Sequence, residues 1–269
     1  MPELPEVETT RRGISPHVTG RRIERVIVRE HRLRWPIADD FVQVATGRTI
    51  EGVDRRAKYL LMRSGPGAIM VHLGMSGSLR IVDASLAPRT HDHVDFVFDG
   101  GKSLRFHDPR RFGSIFWVEG DDHPLLTSLG PEPLSGAFSG EYLYGLSRKR
   151  KTGVKQFIMN GHVVVGVGNI YANEALFIAG IRPDRQAGRI SLSRYRALAG
   201  AIKAVLAKAI ESGGTTLRDF VNESGNPGYF KQSLNVYGRG GEACRGCGRP
   251  LREVRMGQRT TVFCPACQR

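Results

Sequence analysis

Short runs of alternating apolar and polar residues dominate the chain between about residues 20 and 118. Several such runs separated by turn residues predict an antiparallel sandwich or barrel. The clearest pair, His93–Phe98 and Ser103–Phe106, flanks Asp99-Gly100-Gly101, and this arrangement predicts a β-hairpin. Further strands are predicted within Ala68–Val82, where two glycines interrupt the run, and at Ile115–Val118.

The apolar spacing changes from that of strands to that of helices after Gly130-Pro131-Glu132-Pro133, which has the composition of a linker. Region 213–229 is rich in Gly, Thr, Asn and Pro without periodicity, so it is either a functional loop or a plain connection. The predicted helices are Pro5 to about Gly13, Ser139–Leu146, Asn169–Ile178 and a longer one from Ser193 to the glycines at 213 and 214.

Composition narrows the class of protein. The chain has 269 residues, 40% of them hydrophobic, which is enough apolar surface for a core and excludes a disordered basic tail. No stretch approaches 18 unbroken apolar residues, and the N-terminus lacks the apolar segment of a signal peptide. A net charge of +14 predicts a polyanionic partner, with nucleic acid as the leading candidate.

All four cysteines lie near the C-terminus, at positions 244, 247, 264 and 267. Two C-x2-C pairs at this separation suit the tetrahedral thiolate coordination of zinc. Two disulfides are the alternative, which a reducing cytosol disfavours. Arginines outnumber acidic residues in this segment, so we interpret it as a zinc-held nucleic-acid contact module.

The N-terminus combines Pro2 with the carboxylates of Glu3 and Glu6. If Met1 is removed, Pro2 presents a secondary amine, and an α-amine has a pKa of about 7.7 to 8.0, far below that of a lysine. Such an amine can attack a sugar C1′ and form an iminium, with the carboxylates available for acid–base work. The residues alone favour the simpler interpretation, in which the proline and the acids only begin a helix.

Three other features have both a functional and an ordinary interpretation. Gly166-Val167-Gly168-Asn169, with Asn169 as the N-cap, could present N–H groups to a phosphate or simply cap a helix. Met75 and Phe112, on glycine-rich turns, could wedge between bases or lie in the core. Lys58 and Lys155 are single lysines whose default state is solvated.

Ten segments, taken in order, resemble the bacterial formamidopyrimidine-DNA glycosylase family. They are PELPEVE at residues 2–8, RRAKYLL, HLGMSGSL, HDHVDF, DPRRFG, GVGNIYANEALF, GGTTLRDF, NPGYF, VYGR and GQRTTVFC. The resemblance covers essentially the whole chain and implies an α+β multidomain fold. Its parts are an N-terminal antiparallel β-sandwich with flanking helices (1–131), a helix–two-turn–helix domain (132–235) with a lesion-recognition loop at about 213–229, and a four-cysteine zinc-finger β-hairpin (236–269).

The resemblance also implies roles for individual residues. Pro2 is the nucleophile that displaces the damaged base, and Glu3 matches the acid that assists ring opening and proton transfer. Glu6 matches a supporting carboxylate, and Lys58 a catalytic lysine that contacts the lesion-site phosphate. The residues matched to filling the void left by the flipped nucleotide are Met75, Arg110 and Phe112, with Arg110 facing the orphaned cytosine. Those matched to DNA or damaged-base contacts are His91, Arg110, Lys155, Asn169, Tyr237 and Arg259.

The implied activity is that of a bifunctional glycosylase and abasic-site lyase of base-excision repair, acting on 8-oxoguanine opposite cytosine and on formamidopyrimidines. The iminium acidifies a sugar proton, so β- and then δ-elimination cut the strand. We expect one structural Zn²⁺ bound by Cys244, Cys247, Cys264 and Cys267, and no redox or nucleotide cofactor. We also expect a monomer that acts on double-stranded DNA containing oxidised bases or abasic sites, with no membrane association and a cytoplasmic, nucleoid-associated location in a bacterium.

Two alternatives remain at this point. An endonuclease VIII-type enzyme for oxidised pyrimidines generally begins PEGPE, whereas residue 4 here is Leu, and DPRRFG and NPGYF fit the purine branch. A non-catalytic zinc-finger DNA-binding protein would keep the charge and the cysteines but would not need a free Pro2.

Overall fold

The structure is a computed structural model that describes residues 2–120, 122–213 and 234–269. The chain divides into two compact units. The first is built on Met1–Thr127, and the second on Ser128–Glu211 together with Phe230–Arg269. Among the described residues, no helix has the length and apolar character needed to cross a membrane.

The described residues of the first unit include eight strands. They are β1 (Ile23–Val28), β2 (Gly52–Arg56), β3 (Tyr59–Ser64), β4 (Gly67–His72), β5 (Ser78–Asp83), β6 (Asp92–Phe98), β7 (Lys102–His107) and β8 (Ser114–Glu119). They pair into two antiparallel sheets, ordered β1-β6-β7-β5 and β2-β3-β4-β8. The predicted sandwich is confirmed, as is the β6–β7 hairpin, whose Gly100 and Gly101 adopt the positive φ angles of 86° and 76° that favour glycine.

The helices of the first unit are α1 (Leu4–Val18), α2 (Phe41–Ala45) and α3 (Pro124–Thr127). The predicted end of α1 at Gly13 was wrong, because the helix continues through Pro16 to Val18. Ile14 and Val18 are fully buried in the sandwich core, and this burial outweighs the weak helix propensity of Gly13 and Pro16. The core thereby fixes the orientation of the helix that carries the N-terminus.

Among its described residues, the second unit contains four helices, one 3₁₀ turn and a hairpin. They are α4 (Gly140–Ser147), α5 (Val154–Ile158), α6 (Asn169–Ile178), the 3₁₀ turn Ala187–Arg189, α7 (Leu192–Glu211), β9 (Arg252–Met256) and β10 (Arg259–Phe263). The predicted capping of α4 is confirmed, since the Tyr142 amide donates to Ser139 Oγ at 3.1 Å. The bounds of α6 are those predicted, and α7 begins one residue before the predicted start. Of the predicted lesion-recognition loop, only Gly213 lies within the described residues.

Candidate functional site

The N-terminal residues are fixed by the cap of α1. Glu3 is the N-cap residue, and its amide donates to Glu6 Oε2 at 2.8 Å in a capping box. Both acidic residues are buried, with 3% and 0% of their surfaces exposed. Pro2, the residue before the cap, is buried as well. The proline and the acids therefore do begin a helix, and the same cap holds the backbone next to Pro2.

The turn that carries Lys58 is tied to α1 by an ion pair. Arg55 donates to Glu8 Oε2 at 3.1 Å and to the Ala57 carbonyl at 2.9 Å. Burial opposes ionisation of Glu8, but hydrogen bonds from two arginines of α1 outweigh it and lower the pKa of Glu8 to about 2. Glu8 is therefore ionised at neutral pH and keeps the β2–β3 turn, with the half-buried Lys58, against the N-terminal helix.

His72 is a neutral histidine near Lys58 that the sequence analysis missed. Burial, with smaller contributions from the positive charges of Lys58 and Arg34, lowers the pKa of His72 to about 4. Its Nδ1 accepts the Gly74 amide at 3.0 Å, and its ring centroid lies 5.0 Å from that of Tyr59. The only sequence signal was its position at the head of the HLGMSGSL segment. The ring supports both the Lys58 region and the turn that leads to Met75.

The three residues matched to void filling lie on two turns that are packed against each other. Phe112 is 41% exposed, so it is not a core residue, and Met75 is half-buried. The guanidinium carbon of Arg110 lies 4.8 Å from the centroid of the Phe112 ring. A Cβ at Gly74 would clash with the Phe112 carbonyl, so glycine permits the close approach of the two turns.

His91 precedes β6 in a left-handed conformation with φ of 72°. Its side chain is exposed, and its ring centroid lies 6.1 Å from that of His93 and 6.2 Å from that of His107. An exposed ring on a constrained backbone suits a contact with a phosphate.

Lys155 and Asn169 both contact the zinc-finger hairpin. Lys155 is 2% exposed, and its Nζ donates to Thr261 Oγ1 at 2.7 Å and to the Thr260 carbonyl at 3.1 Å. Asn169 Nδ2 donates to the same carbonyl at 3.0 Å. These bonds hold the strand that begins at the exposed Arg259.

Asn169 is not the N-cap of α6. The prediction was wrong because Gly168 is the cap, in an extended conformation, and Asn169 is the first helical residue. Its amide group is used on the hairpin carbonyl instead of on the helix amides.

Glu174 is a buried acid that the sequence analysis also missed. It is 1% exposed, and its carboxylate accepts from the amides of Asn235, Val236 and Tyr237 at 2.8 to 2.9 Å. The Asn235 side chain adds a further bond at 3.0 Å. The signal was the only acidic residue in a mostly apolar helix. Because three successive amides bind one carboxylate, the backbone at Tyr237 is fixed relative to α6.

The four cysteine sulfurs lie within 4.8 Å of one another. Cys244 Sγ is 4.0 Å from Cys267 Sγ, and Cys247 Sγ is 3.5 Å from Cys264 Sγ. Zn–S bonds of about 2.3 Å in a tetrahedron place sulfurs about 3.8 Å apart, so the cluster fits zinc. These separations are also much longer than the roughly 2.05 Å of a disulfide, which excludes that alternative here. With all four ligands from protein, the zinc site is structural.

Family models and relatives agree with this geometry. Residues 1–115 match the formamidopyrimidine-DNA glycosylase N-terminal domain, residues 129–221 its H2TH domain, and residues 241–269 the zinc finger found in FPG and IleRS. A protein of Methylococcus capsulatus named formamidopyrimidine-DNA glycosylase is 62% identical over the full length of both chains.

Solved structures give the same result. The MutM (Fpg) protein of Thermus thermophilus is 41% identical with a TM-score of 0.89, and the match covers 99% of this chain and 98% of that one. A mutant Fpg of Lactococcus lactis, solved with DNA containing Fapy-dG, is 32% identical over all of both chains with a TM-score of 0.93. The chain therefore belongs to the formamidopyrimidine-DNA glycosylase family.

Proposed function

We propose that this base-excision DNA glycosylase removes oxidised purines by attack of the Pro2 nitrogen on the sugar C1′ of the damaged nucleotide. The observation that carries the proposal is the capped N-terminus, in which the Glu3–Glu6 capping box holds the backbone next to Pro2. Pre-positioning of a nucleophile lowers the entropic cost of reaching the reactive geometry. The activity requires removal of Met1, because an amide nitrogen is not nucleophilic.

The chemical steps follow from a secondary amine at C1′. The Pro2 nitrogen forms a bond to C1′ as the base leaves with its electron pair and takes up a proton. Glu3 assists sugar-ring opening and proton transfer, which gives the iminium. Loss of the acidified C2′ proton expels the 3′ phosphate by β-elimination, and δ-elimination then expels the 5′ phosphate. The capping bond to Glu6 keeps the Glu3 backbone in place through these steps.

The remaining matched residues supply binding. Lys58 contacts the lesion-site phosphate, while Met75, Arg110 and Phe112 fill the void left by the flipped nucleotide. The residues proposed for further DNA contacts are His91, Asn169, Tyr237 and Arg259. Lys155, which the sequence also matched to this group, is buried and would act by holding the strand that begins at Arg259. The same proposal includes domain boundaries at residues 131 and 235 and a lesion-recognition loop. It also includes action in the cytoplasm at the nucleoid. A monomer suffices, because one chain supplies every matched residue.

Borohydride trapping tests the nucleophile. Protein lacking Met1 is mixed with a duplex containing 8-oxoguanine opposite cytosine, and the reduced iminium is measured as a covalent protein–DNA adduct. We expect a stable adduct that Pro2→Gly, or retention of Met1, sharply reduces. Pro16→Ala is the matched control, because Pro16 is exposed in the same helix and far along it from the cap.

The same experiment separates the alternatives. An adduct that forms preferentially on oxidised thymine would support the endonuclease VIII-type enzyme. Duplex binding without any adduct from the Met1-free protein would support a non-catalytic DNA-binding protein and would refute the proposed chemistry.

A further inference from the structure

A buried hydrogen bond joins the two turns that carry Met75, Arg110 and Phe112. Ser76 Oγ donates to Asp108 Oδ1 at 2.6 Å, and the two residues are 2% and 0% exposed. A hydroxyl that donates to a carboxylate at this distance forms a strong, charge-assisted bond. The bond links positions 32 residues apart, so it depends on the fold and not on local sequence.

The hydroxyl of Ser76 both donates and accepts a hydrogen bond. Besides donating to Asp108, it accepts the Arg110 amide at 3.2 Å. The first turn therefore holds the backbone of the second at the residue that carries the guanidinium. Gly74 in the first turn permits the close approach of the two turns, because a Cβ at this position would clash with the Phe112 carbonyl.

Asp108 connects these turns to the histidine segment. Its Oδ2 accepts the Gly113 amide at 2.8 Å, which closes the turn around Phe112. Its amide donates to the His91 carbonyl at 3.0 Å, and its own carbonyl accepts from His93 Nε2 at 2.8 Å. Asp108 thus contacts both turns and also the backbone of His91, the proposed phosphate contact.

We propose that Ser76 and Asp108 form a latch that holds Met75, Arg110 and Phe112 at one spacing, so that the three side chains enter the void as a single unit. Ser76 and Asp108 are positioning residues for base extrusion, and the inference rests on the proposed void-filling role. Extrusion is unfavourable because stacking and pairing are lost. Turns fixed before insertion lose less conformational entropy on binding than independent turns, so more of the contact energy opposes return of the base.

The variants follow from the hydrogen bonds. Ser76→Ala removes the donor to Asp108 and the acceptor of the Arg110 amide, and Asp108→Ala frees both turns. Asp108→Asn retains the geometry, since its amide oxygen can accept from Gly113 while its amide nitrogen donates to Ser76. Ser103→Ala is the matched control, because Ser103 Oγ is buried in the same sandwich and, among the described residues, has no hydrogen-bond partner.

Two rates measured in one preparation test the latch. The first is single-turnover excision of 8-oxoguanine opposite cytosine in a duplex, which requires extrusion. The second is strand cleavage at a preformed abasic site in a single strand, where no opposite base or void exists. Their ratio does not depend on the folded fraction of a variant, so it separates positioning from loss of stability.

We expect Ser76→Ala and Asp108→Ala to lower the ratio of excision to cleavage about 10- to 100-fold, in line with the loss of a hydrogen bond to a charged group. Asp108→Asn and Ser103→Ala should keep the ratio within about twofold of the original protein. If the ratio is unchanged in Ser76→Ala, even where both rates fall equally, the latch is refuted while the proposed function stands. Absence of excision by the unaltered protein would overturn the proposed function as well.

Discussion

The β-sandwich and the zinc finger both carry residues of the proposed function, but different forces hold the two regions together. The sandwich has a core of 23 buried apolar residues drawn from both sheets and the flanking helices. The buried cluster of the finger has five members, of which Cys244 and Cys264 are themselves zinc ligands. Because so small a cluster cannot offset the entropy of folding, the metal must supply most of the stability of the finger.

The two regions also use charge differently. In the sandwich, Arg105 and Asp95 form a buried pair at 2.8 Å in which each side chain is only 2% exposed. In the finger, most arginines are exposed, including Arg259 at the start of β10. Buried pairs hold loops in place, whereas exposed arginines remain available to phosphates. In the sandwich, arginines such as Arg105 contribute to buried ion pairs, whereas in the finger the metal supplies the stability and leaves the arginines available for attraction of a polyanion.

The largest expected effect is the loss of zinc from the finger. Cys247→Ser removes one thiolate ligand, and structural zinc contributes about 10 to 16 kcal/mol of apparent binding free energy to small domains. We expect the finger to unfold and duplex affinity to fall, while the sandwich keeps its melting temperature. Zinc content, duplex binding and tryptophan fluorescence measure these three properties, since both tryptophans, Trp35 and Trp117, lie in the first unit.

The control for the zinc ligand is Ala243→Ser, which adds a hydroxyl at an exposed position beside Cys244 without removing a sulfur. It should retain zinc and duplex affinity. Loss of zinc from Cys247→Ser with unchanged duplex binding would show that the finger does not contribute to the interface.

The next largest expected effect is that of a change confined to the sandwich, where removal of a buried ring creates a cavity. Phe96 is fully buried, and its ring packs edge-on against Phe41 with centroids 6.2 Å apart. Phe96→Ala should lower the free energy of unfolding of the first unit by about 3 to 5 kcal/mol. Tryptophan fluorescence in urea measures the loss, and zinc content should stay that of the original protein. Ile81→Val, at a half-buried position beside the same core, should cost much less, and equal losses in both variants would contradict the cavity explanation.

Features set by neighbouring residues were predicted from the sequence. The β6–β7 hairpin follows from Asp99-Gly100-Gly101, and α6 follows from its apolar spacing. The five residues of α5, Val154–Ile158, were not predicted, because one turn of helix shows no periodicity. The end of α1 was misplaced because burial of Ile14 and Val18 depends on the sheets packed around them.

Site residues divide in the same way. The cysteines carry their chemistry in their residue type and spacing, so the metal site was visible in the sequence. For Pro2 the residues alone favoured a plain helix start, and the proposed role came from the family resemblance. Glu174 was missed because its partner Val236 is 62 residues away. Ser76 in the HLGMSGSL segment and Asp108 in the DPRRFG segment were quoted but given no role, because their contact exists only when β5 and β7 pair. A residue that acts through a partner distant in the sequence can be recognised only in the folded structure.

The smallest of the three effects is the acid sensitivity of the sandwich. His72 has a folded pKa of about 4 and an ordinary value of 6.5 when unfolded, so between these values the unfolded chain binds the additional proton. Its contribution is complete above pH 6.5 and is lost as the pH falls towards 4, with a total of about 3 kcal/mol. Glu8, with a pKa of about 2, loses its contribution mainly below pH 4.5, so the two windows are separable.

His72→Asn tests this sensitivity, because Asn Oδ1 can accept the Gly74 amide in place of Nδ1 but does not titrate. The free energy of unfolding, followed by tryptophan fluorescence in urea, should then vary about 2 to 3 kcal/mol less between pH 6.5 and 4.5 than in the original protein. His17→Asn, at an exposed position of α1, is the matched control for the replacement of a histidine by asparagine. If His72→Asn keeps the full dependence, protonation of His72 is not what makes the sandwich sensitive to mild acid.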